Sequence, residues 1–183
     1  MKDDILVAED CEADVFLIQR AFKKGGLESG LMVVPNGEEA IKHLKGVGCY
    51  SDRTTFRFPN LLLLDLNMPR QDGFEVLSWV KRQTDPRLKD LPMVMLTDSN
   101  FVADANRACR LGAHSFFVKS PGLKDAVQLC LSICRYRLAV KTNAKAKMPA
   151  RVWPPIRTLS PYDPISLEEP CFTSVERMGF CIG

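Results

Sequence analysis

The sequence predicts an α/β protein in which five parallel strands form one sheet with helices packed on both faces. Three observations carry this reading. Five short apolar runs alternate with stretches of helical periodicity along the first 140 residues, an order that builds parallel sheets through crossover helices. One run, Leu61 to Leu64, is apolar at every position, as in a strand buried on both faces and unlike the alternation of a half-exposed one. Each of the first, third, fourth and fifth runs ends in a residue that carries chemistry, and in open α/β sheets ligands bind beyond the carboxyl ends of the strands.

Taken in order, Ile5 to Ala8 is the first strand. Val15, Ile18, Ala21 and Phe22 then share one face of a helix that stops near Gly25-Gly26,. Leu31 to Val34 is the second strand. The tetrad "NGEE" offers Asn36 as N-cap with Glu39 three residues on, the spacing of a capping box, before an apolar face of Ala40, Ile41 and Leu44,. The connection "KGVGCYSDRTTFRFP" exceeds the usual few residues and is expected to form a surface loop,. The third strand follows, then a helix marked by Phe74, Leu77 and Val80. Pro92 to Leu96 is the fourth strand. Ala105, Ala108, Cys109 and Leu111 mark a helix ended by Gly112, and Phe116 to Val118 is the fifth strand,. A last helix opens at Ser120-Pro121, with Leu123, Val127, Cys130 and Ile133 on its inner face, and runs to about Val140,.

Composition sets limits on this domain. Residues 1–140 form it, and residues 141–183 read as an extended or disordered tail. Pro149, Pro154, Pro155, Pro161, Pro164 and Pro170 make up half of the twelve prolines, and the tail shows no sustained periodicity,. With 46% hydrophobic residues the chain can bury a real core, yet no stretch approaches the ~20 apolar residues of a membrane span,. The start "MKDDILVAED" has no basic region followed by a long apolar one, so a cytoplasmic location is expected,. Seven cysteines show neither a CxxC pair nor zinc spacing, and free thiols are expected,. A net charge of +3 without clustered aromatics gives little support for nucleic-acid binding,.

The strand-end residues can now be taken together. Glu9 and Asp10 follow the first strand, Asp65 the third, Thr97 the fourth and Lys119 the fifth, which brings all five to one edge of the sheet,. Carboxylates meeting there repel one another unless a divalent cation neutralises them, and an all-oxygen site with room for water suits Mg²⁺. Lys119 and Thr97 add a point charge and a hydroxyl donor, partners for the oxygens of a phosphoryl group. One of the carboxylates is then a candidate nucleophile. Taken singly, each residue has an ordinary explanation as a helix cap or a solvated charge. Five such coincidences at strand ends do not.

At these residues the sequence resembles the response regulator receiver domain of two-component signalling, the CheY-like family, over about residues 3 to 140. Further matches are "DLNMPRQDG", with Met68-Pro69 and Asp72-Gly73, and Phe116 three residues before the lysine. The long connection and "LLDLNMP" look most like stand-alone regulators that serve phytochrome-type histidine kinases. The resemblance implies a flavodoxin-like, doubly wound sheet of order 2-1-3-4-5. It implies Asp65 as phosphoacceptor, taking its phosphoryl group from a sensor histidine kinase or a phosphotransfer protein. Mg²⁺, or Mn²⁺ in its place, would be held by Glu9, Asp10, Asp65 and the backbone carbonyl of Asn67. Thr97 and Lys119 would receive the phosphoryl oxygens, and Thr97 and Phe116 would act as the switch that remodels the face of helix 4, strand 5 and helix 5. Such a protein is a phosphoacceptor rather than an enzyme in the ordinary sense. Its output would pass to a protein partner or through a homodimer, with no direct DNA binding and no membrane association expected.

Two positions depart from that pattern. Ser120 stands between Lys119 and Pro121, where the family usually has proline directly after the lysine, and a cis bond to a non-proline residue costs ~3–4 kcal/mol,. Asp98 follows Thr97 where the family has a small residue, placing a further negative charge near the site or capping a helix from about Asn100,. Other readings fare less well. A dehalogenase-type phosphohydrolase needs a second aspartate at the position of Asn67. A degenerate receiver acting only as a phosphorylation-independent binding module would have lost one of the five residues. A nucleic-acid contact through Lys145, Lys147, Arg151 and Arg157 is diluted by Glu168, Glu169 and Glu176,.

Overall fold

A computed structural model describes residues 4–24, 30–98 and 101–119. The strands β1 (Ile5–Ala8), β2 (Leu31–Val34), β3 (Leu61–Asp65), β4 (Met93–Thr97) and β5 (Ser115–Val118) are all parallel and lie in the order β2-β1-β3-β4-β5. The helices are α1 (Glu12–Lys24), α2 (Gly37–Lys45), α3 (Gly73–Lys81) and α4 (Val102–Arg110). A 3₁₀ turn at Gly48–Tyr50 and a single helical turn at Pro86–Lys89 complete the described elements. The expected last helix from Ser120, the Lys119-Ser120 bond and the tail lie outside the described residues, as does the stop at Gly25-Gly26.

The unbroken apolar runs follow from how the sheet is covered. Successive side chains of a strand point to opposite faces. Leu6, Ala8, Leu62, Leu64, Met93 and Met95 therefore pack beneath α2, α3 and α4, with Ala40, Leu44, Phe74, Leu77 and Ala108. Ile5, Val7, Leu61, Leu63, Val94 and Leu96 face the other way, onto Ile18 and Phe22 of α1. Both faces are dry, so neither set of positions admits a polar residue until the strand ends.

Three local features differ from the expectations. Asn36 caps α2 by accepting from the Glu39 backbone N–H at 3.0 Å, but the Glu39 carboxylate does not return to Asn36. It accepts instead from Tyr50 Oη and Lys42 Nζ, each at 2.9 Å. The complete capping box sits at α3, where Asp72 accepts from Glu75 N and Glu75 accepts from Asp72 N. The connection before β3 is not a plain surface loop. Tyr50 is buried, Phe56 and Phe58 pack against the core, and Arg53 donates to the carbonyls of Leu44 and Phe56. Gly46 makes that possible: its φ of 69° ends α2 in the left-handed region, and a Cβ there would collide with the Arg53 guanidinium,.

Candidate functional site

The end of β3 supplies the centre of the site. Asp65 is the last residue of a strand buried on both sides and is itself only 4% exposed. Its Oδ2 accepts from the backbone N–H of Asn67 at 2.8 Å, and its Oδ1 lies 2.9 Å from Lys119 Nζ. Gly73 lets the chain return past it: a Cβ there would meet the Asp65 carbonyl oxygen and the Met95 methyl. Helix α3 can thus start directly against the end of β3, with Asp72 as its cap, which accounts physically for the Asp-Gly pair.

Glu9 and Asp10 arrive from the neighbouring strand, since β1 runs beside β3 with Ala8 opposite Leu64. Glu9 is buried and accepts from the Cys11 N–H at 3.2 Å, whereas Asp10 is exposed. Carboxylate oxygens of Glu9, Asp10 and Asp65 all fall within 4.8 Å of one another. Lys119 reaches in from the end of β5, with Nζ 2.8 Å from Glu9 Oε2 and 2.8 Å from Asp14 Oδ2. Its backbone N–H donates to the Thr97 carbonyl at 2.8 Å, which fixes it beside the end of β4, where Thr97 is fully buried. Phe116 is half-buried against the core and pairs with Met95. The structure thus brings together every strand-end residue that the sequence singled out. Asn67 lies at their border and is exposed.

The electrostatics are those of an acid cluster short of positive charge. Burial pushes the Glu9 carboxyl above its usual range, with the neighbouring Asp65 adding to this, while Lys119 and the Cys11 N–H pull the other way,. Burial alone would lower the Lys119 ammonium. Its close pairing with the carboxylates of Asp14, Glu9 and Asp65 outweighs that and holds it above its usual range, so it stays charged. One lysine does not complete the site: Glu9 Oε2 is close to Nζ but off the hydrogen-bonding direction, leaving a buried oxygen with no aligned donor among the described residues. Clustered hard oxygens with an unsatisfied buried member fit a divalent cation of the Mg²⁺ or Mn²⁺ kind.

Asp14 escaped the sequence reading. It lies in the first turn of α1, where an acid is expected merely to favour the helix N-terminus,. No periodicity signals its contact with a lysine 105 residues away. Asp98, the clearest departure, is exposed. The helix from about Asn100, which Asp98 would cap in the alternative reading, starts at Val102, with Phe101 at the N-cap and no capping side chain.

A doubly wound sheet carrying acids, a hydroxyl and a lysine at its carboxyl edge defines the CheY-like class of α/β domain. Residues 5–130 match the family described as the response regulator receiver domain, and the chain belongs to that family. It is 35% identical over 138 residues to the response regulator Rcp1 of Synechocystis sp., spanning 75% of this chain and 90% of that one. Among solved structures it resembles the phosphorylated cyanobacterial phytochrome response regulator RcpA, with a TM-score of 0.64, 33% identity, and coverage of 76% and 96% of the two chains. It also resembles the Mn²⁺-bound form of Rcp1, with a TM-score of 0.61, 32% identity, and coverage of 80% and 99%. The chain is therefore a two-component signalling protein of the receiver type, a class phosphorylated by histidine kinases or phosphotransfer proteins. Among the described residues no helix is long and apolar enough to cross a membrane.

Proposed function

We propose that Asp65 accepts the phosphoryl group. The observation that carries this reading is the way its carboxylate is held, with Oδ2 on the Asn67 N–H at 2.8 Å and Oδ1 beside the Lys119 ammonium at 2.9 Å. A carboxylate so restrained meets the donor in one orientation, which is the entropic part of catalysis. An Asp65 oxygen forms a bond to phosphorus as the P–N bond of a phosphohistidine breaks, and the bonding electron pair leaves with the imidazole. The Lys119 ammonium and the Thr97 hydroxyl take the equatorial oxygens on which charge accumulates. Glu9, Asp10 and Asp65, with the Asn67 carbonyl, hold Mg²⁺, or Mn²⁺ in its place. The cation supplies the neutralisation that lets an anionic donor approach three carboxylates.

The partner is a sensor histidine kinase or a phosphotransfer protein. Similarity to regulators whose names include phytochrome and bacteriophytochrome points to a phytochrome-type kinase. Occupation of Asp65 draws on Thr97 and Phe116, which transmit the change to the face of α4 and β5. That face serves a protein partner or a second copy of the chain, and no direct DNA contact is part of this reading. The receiver unit spans residues 1–140, and residues 141–183 are dispensable for phosphorylation; the protein works in the cytoplasm. Incubation with acetyl phosphate and Mg²⁺, followed by intact mass measurement, should show one added phosphoryl group. An Asp65→Asn protein labelled to the same extent as the wild type would refute the assignment, and undiminished labelling in EDTA would refute the metal. Labelling lost on removal of residues 148–183 would refute the boundary.

A further inference from the structure

Lys119 meets three carboxylates, and the one that satisfies hydrogen-bond geometry most plainly comes from outside the strand-end cluster. Its Nζ donates to Asp14 Oδ2 at 2.8 Å. Its equally short approach to Glu9 Oε2 is off the hydrogen-bonding direction. Asp14 sits on the first turn of α1, where an acid serving only the helix dipole would point into water. Instead its side chain is 25% exposed and turned to a lysine that is 7% exposed.

We propose that Asp14 is a positioning residue for the phosphoryl-transfer reaction: it tethers the Lys119 ammonium from the α1 side, so that the remaining N–H groups stay aimed at the oxygens of the phosphoryl group. The inference rests on Asp65 being the acceptor. An ammonium has three N–H donors in a tetrahedral fan. With one N–H fixed on Asp14, rotation about the Cε–Nζ bond is stopped and the other two stay on the side of the ammonium that faces the acid cluster around Asp65. Esterification of Asp65 removes the carboxylate charge that holds Lys119 at 2.9 Å, and Glu9 is committed to the cation. Asp14 is then the acceptor whose charge is unchanged by the reaction. Without it, four rotatable side-chain bonds would have to be ordered by the phosphoryl group itself.

The test combines a spectroscopic and a kinetic readout. In the wild type, ¹⁵N NMR should show a slowly exchanging Lys119 Nζ signal, assigned by its absence in Lys119→Ala. In Asp14→Asn that signal should be lost to exchange with water. The maximal rate of labelling by acetyl phosphate at saturating Mg²⁺ should fall about tenfold, the effect of one well-placed charge-assisted contact. In the Lys119→Ala background the same change should alter the residual rate by less than about twofold, because Asp14 then has nothing to position. A retained Nζ signal would overturn the proposal, and so would an unchanged rate in Asp14→Asn. An equal fall in both backgrounds would also overturn it, since Asp14 would then be acting on the fold or on the cation. If the wild type takes no phosphoryl group, the acceptor assignment fails, and the Nζ signal by itself decides whether Asp14 holds Lys119.

Discussion

Replacing Lys119 by methionine keeps the unbranched stem, shortened by one atom, and removes its charge, with consequences that can be read from the site. Glu9, Asp65 and Lys119 have side chains 1%, 5% and 7% exposed, so the ion pairs are buried and the carboxylates left behind cannot recover solvation. Breaking a buried pair by removing one partner costs about 3–5 kcal/mol. Each remaining pair of charged carboxylates with oxygens 4.8 Å apart or closer adds repulsion of at least about 3.5 kcal/mol at an effective dielectric of 20,. Protonation limits the damage. The Glu9 carboxyl already lies above its usual range because it is buried, and loss of the lysine raises it further. Between the unfolded value and this raised folded value the native state binds more protons than the unfolded one, so stability falls as pH rises through that window. Lys119→Met should therefore be least destabilised near pH 5 and most destabilised, by about 3 kcal/mol or more, near pH 8. Saturating Mg²⁺ should restore a large part of the loss, since a cation at a hundred times its dissociation constant stabilises by about 2.7 kcal/mol. Urea melts at the two pH values, with Mg²⁺ and with EDTA, measure all of this. A variant as stable as the wild type at pH 8 in EDTA would refute the buried-pair argument, and a loss insensitive to Mg²⁺ would refute the shared site.

Further outcomes are expected elsewhere. His43 is 2% exposed beside the rings of Tyr50 and Phe56, at centroid distances of 5.1 and 6.2 Å, and burial, together with the Arg53 charge, lowers its pKa to about 4. The unfolded chain therefore gains a proton near pH 6.5 that the native state refuses, and stability is lost as pH falls: about 1 kcal/mol by pH 5.5 and about 3 kcal/mol in the acid limit. The difference between wild-type and His43→Met melts isolates this contribution, and a pH-independent difference would contradict it. Gly46→Ala places a Cβ in the left-handed region and against Arg53. It should cost about 1–2 kcal/mol and loosen the loop, seen as faster amide exchange across residues 47–58. Asp98→Ala should leave the unfolding free energy within about 0.5 kcal/mol of wild type, because Asp98 is exposed and lies outside the N-cap position of α4,. The same change should raise the labelling rate by acetyl phosphate through relief of repulsion. A lowered midpoint with an unchanged rate would instead show a structural role.

The sequence by itself determined the sheet. Strands buried on both faces must be apolar at every position, so Ile5 to Ala8 and Leu61 to Leu64 announce themselves. A charge directly after such a run can lie only at the sheet edge, which is why Glu9, Asp65 and Lys119 were legible without coordinates. What only the tertiary structure decided are contacts set by distance in space and by side-chain direction. Asp14 was invisible because an acid in a first helical turn looks the same whether it faces water or a lysine brought in by β5. Asn36 and Glu39 have capping-box spacing, yet Glu39 turned to Tyr50, because a buried phenol must find an acceptor and the cap could do without its second half,. The same competition drew the segment after Gly46 inward. Three aromatics and an arginine that spans two carbonyls gave that loop a core contact which carries no periodic signal, since Tyr50 and Arg53 are anchored on Glu39 and Leu44 of α2 by proximity in space and not by a regular spacing along the chain.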